Sequence, residues 1–119
     1  MNIEDIRLFC LSKKSVTEGF PFDNTTLVFK VAGKMFALLN LRDNQSINLK
    51  CDPDKAIELR EHYSAVLPGY HMNKKLWNTV MLDDSIPDSL LSGWITDSYN
   101  LIVEKMPKKL RDELNHDSL

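Results

Sequence analysis

The chain has 119 residues, of which 43% are hydrophobic and 27% are charged, and its formal net charge is −2. This length predicts a single domain over residues 1–119, and the ordinary apolar and charged shares argue against disorder. Because the net charge is negative, a nucleic-acid site would have to be a local basic patch rather than the whole surface.

Three features of the sequence indicate the cellular compartment of the protein. No apolar stretch approaches the ~20 residues of a membrane span. Acidic residues stand near the start of the chain, where a signal peptide carries basic residues. The two cysteines, Cys10 and Cys51, have no CxxC spacing and are typical of small buried residues in a reducing compartment. We therefore expect a cytoplasmic protein.

The N-terminal part predicts a helix followed by an apolar loop. Asn2 is suited to cap the helix, whose apolar side includes Ile6. The segment 19–22 reads Gly-Phe-Pro-Phe, and the proline makes it a loop rather than a regular element. The two rings, Phe20 and Phe22, predict a buried lid over one end of the core.

The next part predicts an antiparallel meander. Residues 26–31 alternate in polarity, and Gly33 is suited to a turn that requires a positive φ. Residues 35–41 are apolar on both faces, which indicates a central strand, and residues 46–51 alternate again. We expect one face of this sheet to be exposed to solvent.

Helices dominate the remainder. Asp52 and Pro53 are suited to the N-cap and first turn of a helix. Residues 76–82 predict a strand, residues 87–106 a long amphipathic helix, and residues 108–115 a short charged one. The predicted fold is α+β, with a single antiparallel sheet of about four strands covered by helices.

The segment 68–78 combines a turn, aromatic rings, an imidazole, amides and ammonium groups. That mixture is not needed for core packing and indicates a binding surface. With lysines predicted on the exposed sheet face, cations and rings lie together, as phosphate contacts and base stacking require. The candidate nucleic-acid- or ligand-binding residues are Lys30, Lys34, Lys50, Tyr70, His71, Asn73, Lys74, Lys75 and Trp77.

Other interpretations of these residues stay open. The lysines also suit a solvated sheet face, and core packing is the commoner role for Trp77. A thiolate–imidazole pair of Cys51 and His71 is disfavoured because Cys51 falls on the inward side of its strand. The sequence has no motif for a nucleotide loop or serine hydrolase. We expect no catalytic residue, metal ligand or cofactor.

Several segments together resemble one protein family, the MmcQ/YjbR family. The resemblance runs from about residue 2 to 110 with its motifs in register. The segments that carry it are 20–22, 28–37, 49–53, 68–75, 77–80 and 98–99.

The resemblance implies a fold similar to the CyaY (frataxin-like) arrangement and a bacterial "double-wing" DNA-binding domain. The positions that match its motifs are Lys30, Lys34, Lys50, His71, Lys74 and Trp77. Four lysines that each neutralise one phosphate would give a salt slope of only about −3 to −4, which implies weak DNA binding. The alternative is an adaptor for a protein or small ligand, with Tyr70 and Trp77 as anchors. No membrane partner is expected.

Overall fold

A computed structural model of the chain describes residues 1–70 and 72–116, and within them six strands form one antiparallel sheet. The strands are β1 (Val16–Gly19), β2 (Thr26–Val31), β3 (Lys34–Asn40), β4 (Ser46–Lys50), β5 (Val66–Pro68) and β6 (Trp77–Met81). Their order across the sheet is β1-β2-β3-β4-β6-β5. The first four form the predicted meander, and β6 returns beside β4.

Four helices accompany the sheet in the described part of the chain. They are α1 (Ile3–Leu11), α2 (Pro53–His62), α3 (Asp88–Glu104) and α4 (Lys108–His116). None of the four described helices has the length and apolar character that a membrane span requires.

Both predicted N-caps are present. The side chain of Asn2 accepts a hydrogen bond from the amide of Asp5 at 2.8 Å. The carboxylate of Asp52 accepts one from the amide of Lys55 at 3.3 Å. Each cap satisfies an N–H group that has no partner inside its helix, which explains why α1 and α2 begin where they do.

The predicted α+β architecture is confirmed, with six strands rather than about four. The two strands that the sequence did not reveal, β1 and β5, are the edges of the sheet. They contain 4 and 3 residues, too few to show a period of two. Their backbone pairing with β2 and β6 defines them instead.

Apolar side chains pack between the helices and one face of the sheet, here called the covered face. Phe29, Leu39, Ile47 and Ile95 are fully buried there. Ser98 of α3 is also fully buried, and its hydroxyl donates to a backbone carbonyl of β3 at 2.6 Å while accepting a β4 amide at 2.9 Å. This polar residue on an apolar helix stripe ties α3 to both strands.

The opposite face, here called the open face, is less exposed than predicted. Val28, Leu38 and Trp77 form a separate buried cluster on it, and Met72 and Leu76 pack against that cluster from the β5–β6 connection. The expectation that this face is exposed to solvent therefore holds for only part of it. The connection folds back over the sheet and covers apolar side chains that no helix reaches.

The two rings of the 19–22 loop are not a buried lid. Phe20 is 49% exposed and Phe22 is 64% exposed. The prediction of a buried lid was therefore wrong.

Candidate ligand-binding cleft

A cleft of about 610 Å³ lies on the open face. Side chains of β3 and β4 form its floor, and two connecting loops form its walls. The floor comprises Met35, Leu38, Asn40, Ser46 and Asn48. The walls comprise Phe22 and Asp23 on one side and Tyr70 and Met72 on the other, with Thr26 and Arg42 completing the lining.

Tyr70 forms one wall because its backbone is attached to the sheet. Its amide donates to the hydroxyl of Thr79 on β6 at 3.0 Å. The preceding residue, Gly69, donates its amide to the carbonyl of Trp77 at 2.9 Å. A Cβ atom at Gly69 would lie 2.8 Å from the Cβ of Trp77, so this close approach requires glycine. The Tyr70 side chain is 58% exposed beside the cleft.

Asn48 joins the floor of the cleft to this wall. Its carbonyl oxygen accepts a hydrogen bond from the hydroxyl of Thr79. Its NH₂ group lies 3.5 Å from the carbonyl oxygen of Tyr70, a distance at the outer limit of a hydrogen bond. The Thr79 hydroxyl and the Asn48 amide therefore hold Tyr70 at both of its backbone polar groups.

The opposite wall is held by a network around Asp23. Its carboxylate accepts the amides of Thr25 at 2.9 Å and of Thr26 at 2.7 Å, and these bonds lower the pKa of Asp23. The guanidinium of Arg42 donates to the Thr25 hydroxyl at 2.8 Å and lies 3.9 Å from the carboxylate. Phe22, the exposed ring, precedes this fixed turn.

The chemistry of the cleft suits binding by shape, stacking and hydrogen bonds. Asp23 and Arg42 are its charged residues and balance each other. Leu38 and the methionines supply apolar surface, while the two asparagines supply amide groups. No cluster of three or more metal-ligating side chains occurs among residues 1–70 and 72–116.

The predicted site residues do not converge on this cleft, apart from Tyr70. Lys30 lies opposite Met35 in the strand pairing, which places it beside the cleft. Lys34 is exposed at the start of β3, after the hairpin turn. Lys50 ends β4, where burial and then the ammonium group of Lys105 lower its pKa. These lysines therefore occupy separate surroundings rather than one patch.

The β5–β6 connection accounts for three more predicted residues. Asn73 accepts the amides of Leu76 and Trp77 through its carbonyl and that of Lys75 through its side chain, at 3.1, 2.9 and 3.0 Å. The carbonyl of Lys74 accepts a hydrogen bond from Arg60 of α2 at 3.2 Å. Asn73 therefore shapes the turn, whereas Lys74 and Lys75 are exposed on it.

Trp77 and His71 complete the predicted set. Trp77 is only 8% exposed and packs with Val28 and Leu38, which agrees with the core-packing interpretation and leaves its ring unavailable for stacking on a ligand. His71 lies outside the described residues.

Sequence reasoning missed most of the residues that line the cleft. Asn48 was recognisable as an outward-facing polar residue on an alternating strand. Phe22 was visible but was assigned to the core because it is large and apolar. Arg42 and Asn40 stand at the end of a strand, where nothing in the sequence shows that they approach the 19–22 loop.

The chain matches known proteins over most of its length. A family model described as YjbR matches residues 11–101. The Escherichia coli protein YbdF is 43% identical over 91 residues, which cover 76% of this chain and 75% of that protein. The Escherichia coli protein YjbR is 32% identical over 112 residues, covering 93% of this chain and 95% of that protein.

Two solved structures have the same fold. The crystal structure of Deinococcus radiodurans protein DR2400 superposes with a TM-score of 0.89 at 41% identity, covering 96% of this chain and 88% of that one. A Pseudomonas syringae protein superposes with a TM-score of 0.75 at 26% identity, covering 85% of this chain and 98% of that one.

Proposed function

We propose that this chain, which belongs to the YjbR family, is a non-enzymatic domain that binds single-stranded nucleic acid weakly through the open-face cleft. The observation that carries the proposal is the position of two exposed rings, Phe22 and Tyr70, on opposite walls of one cleft. Exposed aromatic rings stack on unpaired bases, and each stacked base contributes about 1–3 kcal/mol.

A single strand suits the cleft better than a duplex does. Stacking on a protein ring requires a base whose π-face is free, and the bases of a duplex are stacked on each other. The floor also offers the amide groups of Asn40 and Asn48, which can form hydrogen bonds with the edge of an unpaired base. The buried ring of Trp77 takes no part, so Phe22 and Tyr70 replace it in the stacking role.

The charges near the cleft support weak binding with a shallow salt dependence. Arg42 lines the cleft and Lys30 lies beside it. Two phosphate contacts on a single strand give a salt slope of about −1.4, shallower than four lysines on one face would give. Most of the affinity then comes from stacking, which salt does not screen.

Fluorescence anisotropy of labelled oligonucleotides tests the proposal. An oligo-dT strand should bind more tightly than a duplex of the same length, and its affinity should fall by about sevenfold between roughly 50 and 200 mM salt. Tyr70→Ala and Phe22→Ala should each weaken the binding of the single strand by about fivefold or more.

Leu8→Ala is the matched control for these variants. Leu8 is 56% exposed on α1, outside the residues that line the cleft, and its truncation should leave the affinity unchanged. Equal affinity for duplex and single strand, or full binding by Tyr70→Ala, would contradict the proposal.

A binding role, rather than catalysis, is supported by the state of the ionisable groups. The carboxylate of Asp23 is occupied by hydrogen bonds and has a lowered pKa, which makes it a poor general base. Burial, and then the carboxylate of Asp52, raise the pKa of Cys51, so its thiol stays protonated and is a weak nucleophile. Both cysteines carry free thiols, which agrees with the bacterial cytoplasm as the proposed compartment.

A second candidate function is an adaptor for a protein or small ligand at the same cleft. It is favoured by the balanced charge of the lining and by a volume within the range of roughly 300–1,000 Å³ typical of small-molecule sites. Tyr70 and Phe22 would be the aromatic anchors. A partner that is retained from a nuclease-treated bacterial lysate and is lost with Tyr70→Ala, with no binding of oligo-dT, would favour this candidate over the first.

A further inference from the structure

The orientation of the Asn48 amide follows from its hydrogen-bond partners. The amide of Tyr70 donates to the hydroxyl of Thr79, and a backbone N–H group can only donate. The single hydroxyl proton of Thr79 is therefore free to be donated to Asn48, whose receiving atom must be the carbonyl oxygen. The NH₂ group of Asn48 is consequently turned the other way.

That NH₂ group has hydrogen-bonding capacity to spare. One of its two protons approaches the carbonyl oxygen of Tyr70, at 3.5 Å. Asn48 is half-buried on the floor of the cleft. An amide NH₂ donates two hydrogen bonds, so at least one donor remains for a ligand.

Asn40 repeats this arrangement on the neighbouring strand. Its carbonyl oxygen accepts the backbone amide of Arg42 at 3.0 Å, which again leaves the NH₂ group as the donor. Asn40 pairs with Ser46, and Leu38 pairs with Asn48, so the two asparagines are diagonal neighbours, about 7–8 Å apart at their Cα atoms.

The carboxylate in the cleft lining is already engaged, and the hydroxyls of Thr26, Ser46 and Tyr70 can donate as well as accept. The carboxylate of Asp23 accepts hydrogen bonds from both the amide and the hydroxyl of Thr25 and of Thr26. Arg42 contributes a guanidinium, which only donates, and its side chain is 65% exposed. Donors therefore outnumber free acceptors on the polar part of the lining.

We infer that the polar lining of the cleft is a hydrogen-bond-donor surface, built from Asn40 and Asn48 on the floor and Arg42 beside it, that selects ligands with converging acceptor atoms. The inference rests on the proposed function only in that both place the ligand in the same cleft. Among planar ligands it favours bases with carbonyl oxygens, such as thymine and uracil. A planar ligand that only donates leaves the asparagine NH₂ groups without partners, which costs binding free energy.

Two-dimensional ¹H–¹⁵N NMR tests the inference without a phosphate in the probe. Thymidine is planar, neutral and has two base carbonyls, while indole is planar and donates only. Thymidine should shift the side-chain NH₂ signals of Asn40 and Asn48 as it binds. Indole at the same concentration should leave those signals in place, even where it contacts Tyr70.

A substitution provides the second measurement. Asn48→Asp keeps the acceptor for the Thr79 hydroxyl and removes the donor, and it should weaken thymidine binding by about fivefold, the size of one hydrogen bond. Asn44→Asp makes the same change in charge in the exposed β3–β4 turn, outside the cleft lining, and should change the affinity less than about twofold.

The outcomes separate this inference from the proposed function. If thymidine shifts both NH₂ signals but oligo-dT binds no better than duplex, the donor surface stands and the nucleic-acid proposal fails. If oligo-dT binds through Tyr70 while Asn48→Asp has no effect and the NH₂ signals do not move, the donor surface is overturned. Equal responses to indole and thymidine also overturn it.

Discussion

The two faces of the sheet are built by the same strands but are closed in different ways. On the covered face, helices pack over fully buried side chains such as Leu39 and Ile47. On the open face, a loop covers only part of the apolar surface, around Trp77, and leaves a cleft beside it. Burial is therefore set by what lies over a strand as much as by the strand's own pattern.

The hydrogen bonds that attach the covering segments to the two faces also differ in their burial. Ser98 links α3 to β3 and β4 from within a fully buried layer. Thr79 and Asn48 instead link the backbone of Tyr70 to the sheet at the margin of the cleft. The first contact strengthens a core, whereas the second fixes a wall that stays accessible to a ligand.

The largest expected difference between the faces comes from two adjacent leucines of β3. Leu39→Ala removes a side chain from the covered face and should destabilise the fold by about 2–5 kcal/mol, because the helices above it cannot close the cavity. Leu38→Ala acts on the floor of the cleft, where loop and water can relax, and should cost about 1–2 kcal/mol. Urea unfolding measures both, and equal losses would show that the faces are packed alike.

A smaller effect is expected where the loop meets the open face. Gly69→Ala places a Cβ atom 2.8 Å from the Cβ and 2.9 Å from the carbonyl oxygen of Trp77. We expect a loss of about 1–3 kcal/mol in the free energy of unfolding. Gly93→Ala is the control, since nothing lies within 4 Å of a Cβ added there, and in α3 it should stabilise by up to about 1 kcal/mol. If both changes stabilise, Gly69 and Trp77 do not approach each other this closely.

The smallest change in stability is expected in the β2–β3 turn, which lies at one end of the sheet and belongs to neither face. Ala32 has a φ of +47° and Gly33 a φ of +83°, so the alanine occupies a conformation that glycine adopts more easily. Ala32→Gly should stabilise by about 0.5–1 kcal/mol, whereas Ala56→Gly in α2 should destabilise by about 1 kcal/mol. Thermal unfolding of both variants checks that the two changes in stability have opposite signs. A loss of stability in Ala32→Gly would show that Ala32 is not strained.

Much of the fold could be predicted from local patterns. The caps of Asn2 and Asp52, the glycine of the β2–β3 turn and the long stripe of α3 each depend on neighbouring residues, so they were visible. The edge strands β1 and β5 were not, because a strand of three or four residues is stabilised by its partner rather than by its own sequence.

The candidate site was only partly predictable for a similar reason. The segment 68–78 was predicted to be a binding surface; it contributes Tyr70 to the cleft, whereas Trp77 is buried and Lys74 and Lys75 do not line the cleft. Phe22, Arg42 and Asn40 meet Tyr70 around one cleft only after the loops are placed on the sheet. Long-range proximity of this kind has no local signature in the sequence.

By itself the sequence determined the class of fold, the meander with its turns, the capped helices and the presence of a mixed polar and aromatic segment between strands. Only the tertiary structure decided that Trp77 is buried, that Phe22 is exposed and that Asn48 holds Tyr70 by way of Thr79. The physical reason is that helix caps, tight turns and hydrophobic periodicity depend on residues that are close in the chain. The burial of side chains on a sheet face depends instead on which segment, distant in the sequence, packs over that face.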